Sequence, residues 1–248
     1  MSNEYFKFRQ FTVRQERCAM KVGTDGTLLG AWADLPGNIG ITDAAGVVRK
    51  ARILDIGTGT GLIAMMMAQR FPEARVTAID IDPQAVAQAR ENVMESPFSE
   101  RIEVLEGDIN RFQDSDGFDT IVCNPPYFVD SLKCPDNEQR TMARHTVNLT
   151  YAGLMQAVSG LLRPEGIFSL VIPTDSRSQL EAEARIAGFF LTRICMVKTT
   201  PKKHPKRQLI EIRKYPINEL IISEGIIEIE PNLRSDWYKE LTADFYIK

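Results

Sequence analysis

RILDIGTGTG, Arg52–Gly61, is an apolar run that meets an acid and then breaks into glycines at every second position. Arg52 to Ile56 reads as a buried strand. Gly57, Gly59 and Gly61 read as a sharp turn, because glycine brings no Cβ into the path of the backbone or of a ligand. LIAMMMAQRF follows with helical spacing and stops at Pro72, and its Met65–Met67 run reads as core filler. Strand, glycine turn and helix in that order open a βαβ unit. Further along, RVTAID, RIEVLEGD and FDTIVCN read as three more strands. Between the first two of these, Asp82 and Pro83 supply a cap and a first turn, Val86, Ala89 and Val93 share one helix face, and Pro97 closes the helix. After a polar stretch come a helical YAGLMQAVSGLL, a strand-like GIFSLVIP and a helix, SRSQLEAEARIAG, closed at Gly188. FFLTRICMV and RQLIEIRKY are β-rich runs joined by a basic turn, which makes a hairpin. A parallel series ending in a hairpin implies an α/β, doubly wound sheet with an antiparallel strand.

The chain has 248 residues, 44% hydrophobic and 25% charged, with a net charge of −3. That suits one large α/β unit, and any affinity for a polyanion must come from a local patch. Cys18, Cys123, Cys134 and Cys195 are scattered, with no CxxC or Cys/His cluster. The pattern argues against a metal site or a disulfide framework and suits a reducing compartment. MSNEYFKFRQ lacks the apolar core of a signal peptide, and no run approaches about 18 apolar residues. A cytoplasmic protein is expected, monomeric by default.

The glycine spacing narrows the ligand. Dinucleotide enzymes use GxGxxG, whereas here Gly61 comes a residue early and Leu62 holds the expected place. Asp55 adds negative charge beside the turn, which suits pyrophosphate poorly. It suits a ligand carrying an ammonium group, such as the methionine end of S-adenosylmethionine. Asp80 closes the second strand about 25 residues on, the spacing of a ribose-hydroxyl acceptor. Asp108 closes the third and is set to accept from an adenine amino group, with Ile109 to pack on the ring. Each acid alone reads as readily as a solvated strand end, but three at successive strand ends form one rim. Asp82 reads better as the helix cap.

The fourth strand delivers Asn124-Pro125-Pro126-Tyr127 to that rim. Each proline holds the residue before it extended and lacks an N–H. The Asn124 side-chain oxygen and the Pro125 carbonyl then form a stiff pair of acceptors beside an aromatic plate, Tyr127. That arrangement complements an exocyclic amine: two hydrogens for two acceptors, and a flat ring for stacking. Acceptors that hold both hydrogens would favour a pyramidal nitrogen, freeing a lone pair otherwise delocalised into the ring.

DIGTGTG, the strand-end acids and NPPY, in that order, resemble the class I S-adenosylmethionine-dependent amino-methyltransferases. The resemblance implies a Rossmann-like, mostly parallel seven-stranded sheet with an antiparallel final strand and helices on both faces. It implies Asn124, Pro125, Pro126 and Tyr127 as catalytic residues, and Asp55, Gly57, Gly59, Gly61, Asp80, Asp108 and Ile109 as the cofactor site. CAMKVGTDGTLLGAW, NPPYF, LLRPEGIFSLVIP, HPKRQLIEI and LTADFYIK look more closely like the bacterial subgroup that methylates adenine N6 at nucleotide 37 of tRNA(Val). By that likeness residues 1–50 cover the cofactor, with Thr24 and Asp25 as contacts, and 51–248 form the catalytic domain. Ala33 to Arg52 is longer than the subgroup's pattern leads one to expect. Methylation of a ribosomal guanine N2 or a protein glutamine is a nearby alternative. A nicotinamide-dependent oxidoreductase is opposed by Leu62 and NPPY, and a binding module without chemistry has no need of the amide and the proline carbonyl. A folded RNA substrate agrees with a cationic hairpin tip of Lys198, Lys202, Lys203, Lys206 and Arg207, with Arg140 and Arg144 as a second basic group.

Overall fold

Asp55 and its strand lie inside an eight-stranded sheet in the computed structural model, which describes residues 4–18, 20–37, 49–125 and 149–247. In chain order the elements begin β1 (Tyr5–Lys7), β2 (Thr12–Arg14), α1 (Thr24–Trp32), β3 (Arg52–Ile56), α2 (Leu62–Arg70), β4 (Arg75–Asp80), α3 (Pro83–Met94), β5 (Ile102–Glu106) and β6 (Phe118–Cys123). They continue α4 (Tyr151–Leu161), β7 (Leu162–Pro173), α5 (Arg177–Ile186), β8 (Phe190–Lys198), β9 (Arg207–Arg213), β10 (Ile221–Ile226), β11 (Glu228–Glu230), β12 (Leu233–Arg234) and α6 (Asp236–Leu241).

The sheet runs β10-β8-β9-β7-β6-β3-β4-β5. Strand β9 is antiparallel to β7 and β8, and all other neighbours are parallel. The expected hairpin is therefore β8–β9, and β9 is the antiparallel strand. The sheet has one strand more than the resemblance implies: β10 adds at the edge beyond β8, pairing Ile221 with Arg193 through Ile226 with Lys198. Its first four residues are all exposed. An edge strand that buries neither face carries no apolar period, so nothing in IISEGI announces it.

Side chains alternate between the two faces of the sheet, and both faces are covered. Ile53, Val122, Val171 and Leu209 point to the layer holding α1, α2, α3 and the β1–β2 hairpin. Leu54, Ile121, Leu170 and Ile210, each one position away, point to the layer holding α4 and α5. Burial on both faces explains the unbroken apolar runs. Ile53 and Leu54 are fully buried, each stabilising the fold by about 1.5–3 kcal/mol. Met65, Met66 and Met67 are fully buried as well, which confirms them as core.

Strands β3, β4 and β5 build outward in one direction, and β6 then returns to the other side of β3. The reversal leaves a crevice at the carboxyl ends of β3 and β6, where open α/β sheets hold ligands. The glycine turn and Asn124 are the residues that emerge there.

Candidate active site

The turn after β3 takes the left-handed backbone that its glycines permit, with φ of +67°, +56° and +80° at Gly57, Gly59 and Gly61. A Cβ at Gly57 or Gly59 would meet no atom within 4 Å, so only the backbone angle demands glycine there. Gly57 N and Thr58 N both donate to Ile79 O, at 2.9 and 3.1 Å. Gly59 N donates to Asp80 Oδ2 at 2.8 Å, and Asp82 N donates to Asp80 Oδ1 at 3.0 Å. Asp80 thus clips the turn to the end of β4. Asp82 is the cap of α3, accepting from Gln84 N at 2.9 Å, as the sequence indicated.

Asp55 is fully buried beneath the turn. Its Oδ2 accepts from Thr58 Oγ1 at 2.6 Å and from Ala64 N at 3.1 Å, which braces the turn against the first residues of α2. Its Oδ1 has no hydrogen-bond partner among the described residues. Burial pushes the carboxyl up to about 7; the bonds from Thr58 and Ala64 draw it back, and the Asp80 charge adds to the rise. An orphaned acceptor of this kind is rare in a folded interior and is met by a bound donor in many functional sites. Asp108 accepts from Asn110 N and Asn110 Nδ2 through Oδ1, both at 2.9 Å. Ile109 is buried in the core on the α4 side.

The N-terminal motif, which no periodicity could place, forms the opposite wall. Helix α1 starts at Thr24 after Gly23, with no side-chain cap, so its first N–H groups are not covered by a neighbouring oxygen of that kind. A Cβ at Gly26 would stand 3.3 Å from Leu62, a tight approach to the start of α2, and 3.9 Å from Asn124 Nδ2, so α1 packs closely beside that amide. Thr24 and Asp25 line a cavity of about 320 Å³ together with Gly57, Gly59, Asn124 and Pro125.

Arg207 is where sequence reading and structure part. Its place among the lysines suggested the hairpin tip, but as the first residue of β9 it sits at the hairpin's root and lines this same cavity. Arg207 Nη1 lies 2.6 Å from Asp25 Oδ1. Burial raises the Asp25 carboxyl above its usual range, and Arg207 pulls it back. Lys198, at the other root, pairs with Glu224 at 2.9 Å. The exposed cations of the tip are Lys202, Lys203 and Lys206. The sequence signal for Arg207 was its position opening a strand after Pro205, which the surrounding charge obscured.

Pro126, Tyr127, Arg140 and Arg144 lie outside the described residues, as does most of the Ala33–Arg52 stretch. Among the described residues no three His, Cys, Asp or Glu side chains group as metal ligands, and no helix is long and apolar enough to cross a membrane.

Known proteins resemble this chain along its whole length. Residues 42–180, more than half of the chain, match the family described as Methyltransferase small domain. The tRNA1(Val) (adenine(37)-N6)-methyltransferase of Bacteroides thetaiotaomicron is 48% identical, covering 100% of this chain and 99% of that protein. The protein of the same description from Vibrio cholerae is 38% identical, covering 99% of this chain and 96% of its own. Among solved structures, a predicted O-methyltransferase from Agrobacterium tumefaciens superposes with a TM-score of 0.66 at 22% identity, over 89% of this chain and 96% of that one. A TehB-like SAM-dependent methyltransferase from Corynebacterium glutamicum superposes with a TM-score of 0.51 at 17% identity, over 78% and 89%. At those identities the structural matches establish the fold.

Proposed function

Because the chain belongs to the family of tRNA1(Val) (adenine(37)-N6)-methyltransferases, we propose that it methylates the exocyclic N6 of adenine 37 in tRNA1(Val), using S-adenosylmethionine. The observation that carries this reading is the meeting of Asn124 and Pro125 with the glycine turn in one cavity. A cytoplasmic site of action and a monomeric enzyme complete the proposal.

The residues present suit the cofactor. The unpartnered Asp55 Oδ1 is an acceptor for an ammonium group, and the uncapped start of α1 suits a carboxylate. Asp80 and Asp108, at the ends of the next two strands, suit ribose hydroxyls and an adenine amine. When bound, S-adenosylmethionine supplies a methyl carbon activated by its sulfonium.

The chain's own work is alignment. Asn124 Oδ1 and the Pro125 carbonyl accept the two N6 hydrogens, drawing the nitrogen lone pair out of conjugation with the ring. With acceptors already on both hydrogens, release of one proton requires no strong base. His204 is exposed at the hairpin tip, outside the cavity lining. The Arg207–Asp25 pair holds β9 against α1 and so fixes the wall opposite the turn. An adenine in an anticodon loop is already unpaired, which lowers the cost of presenting it.

The test is incubation with methyl-labelled S-adenosylmethionine and total tRNA from a strain lacking the gene, followed by nucleoside analysis. Label in N6-methyladenosine at position 37 of tRNA1(Val) is expected. Label in another nucleoside, or only in protein, refutes the proposal.

A further inference from the structure

A second cleft, of about 630 Å³, adjoins the catalytic cavity. The two share Val22, Gly23 and Thr24, so this short segment lines both. The second cleft is also walled by Phe6 from β1 and by Tyr238 and Tyr246 from the C-terminal segment. Phe6 and Tyr246 are partly exposed, while Tyr238 is buried.

The rings are held in place. Tyr238 and Tyr246 stack at 6.0 Å between centroids and 26° between planes, and their hydroxyls lie 2.9 Å apart. Phe6 meets Tyr246 edge-on at 6.0 Å, and Phe8 stacks against Tyr246 at 5.8 Å. The charged side chains that line the cleft are Arg234 and Lys239, with no acid among the described lining residues. Arg234 pairs with Glu228, and Lys239 with Asp236 at 3.2 Å. Both cations are about half exposed, at 46% and 55%, and such surface pairs are weak enough to yield to a phosphate.

We propose that this cleft binds a nucleotide of the RNA strand next to the methylated adenine, its base on the Tyr246–Phe6 wall and its phosphate by Arg234 and Lys239. Three features favour this occupant: continuity with the catalytic cavity, a rigid aromatic platform, and two half-exposed cations in the lining. Aromatic platforms edged by cations hold single-stranded nucleic acid with little regard to base identity. The inference rests on the tRNA reading above. It assigns a role to the C-terminal aromatic segment, which the chemistry at Asn124 leaves unused.

The test uses the full chain and an unmodified tRNA1(Val) transcript carrying 4-thiouridine beside the target adenine. Two variants probe the cleft: Tyr246→Leu removes a platform ring, and Ala243→Trp fills the space from an exposed position without deleting a core contact. Expected are photo-crosslinks to Phe6 or to residues 234–247. Both variants should raise KM for the transcript, on the order of five- to a hundredfold, the range of one lost base stack. Cofactor affinity and kcat should change little. Wild-type protein that methylates the transcript while Ala243→Trp keeps its KM, or crosslinks that map elsewhere, overturns the proposal alone. Wild-type protein that binds S-adenosylmethionine but methylates no adenine overturns the parent reading and this one with it.

Discussion

Replacing Asp55 with asparagine should strengthen the fold above neutral pH and weaken the cofactor at the same time. The carboxyl is fully buried and titrates near 7 in place of 3.8. Between those values the unfolded chain has released a proton that the folded chain retains. Stability from this group is therefore greatest below about pH 4, declines as pH rises toward 7, and levels off above it. The gap of about 3 pH units, at roughly 1.36 kcal/mol each, sets a ceiling of about 4 kcal/mol, which local relaxation reduces. Asparagine keeps an oxygen for Thr58 Oγ1 and Ala64 N without the charge. In urea unfolding without cofactor, Asp55→Asn should gain on the wild type by about 2 kcal/mol as pH goes from 5 to 8. Cofactor binding supplies the opposite signature. An ammonium beside Oδ1 favours the carboxylate, so wild-type affinity should climb up to about tenfold per pH unit below 7, with proton release seen by calorimetry in buffers of different ionisation heat. The variant should show weaker binding and neither effect. A stability difference that does not move with pH, together with unchanged affinity, would refute the reasoning and leave Asp55 as a turn brace.

Asn124→Ala should cut kcat by orders of magnitude and leave the cofactor dissociation constant nearly unchanged, because it removes alignment and not binding; single-turnover kinetics with calorimetry separate the two. Asp80→Ala should weaken the cofactor by about 1–3 kcal/mol, since it loses a charge-assisted acceptor and leaves Gly59 N unanchored; equal titration curves would reject the ribose role. Arg207→Met should destabilise the protein by about 2 kcal/mol by removing the cation that pairs with the Asp25 carboxylate, and adding Asp25→Asn should recover part of that stability without restoring turnover. Changing Lys202, Lys203 and Lys206 together to glutamine should flatten the salt dependence of tRNA binding in a filter assay, and an unaltered slope would remove the hairpin tip from the interface.

Much of the scaffold was legible because its signals are local. The strand-turn-helix at Arg52–Arg70, the Asp82-Pro83 cap and the β8–β9 hairpin each declare themselves within one continuous short stretch of chain. Strand-end acids could be placed on one rim because parallel topology aligns the ends of β3, β4 and β5. Arg207 could not be read correctly, since its counter-charge, Asp25, comes from the other end of the chain and nothing nearby records the pairing. The use of Asp55 Oδ2 to brace its own turn was equally hidden, because an acid at a strand end reads the same whether it faces a ligand or Ala64 N. Strand β10 escaped for the reverse reason: it pairs through backbone alone and buries almost no side chain.

The contact between Asp25 and Arg207 closes most of the polypeptide into a loop, and Arg9 ties the ends more widely by donating to the carbonyl oxygens of Ala243 and Phe245. During synthesis the glycine turn and Asn124 leave the ribosome well before Arg207, which closes one side of their cavity. A chain still being translated thus has the turn and the amide but no finished chamber. The cavity is complete only when the β8–β9 hairpin has brought Arg207 to the amino-terminal helix. A fragment that ends before Arg207 therefore lacks one wall of that cavity.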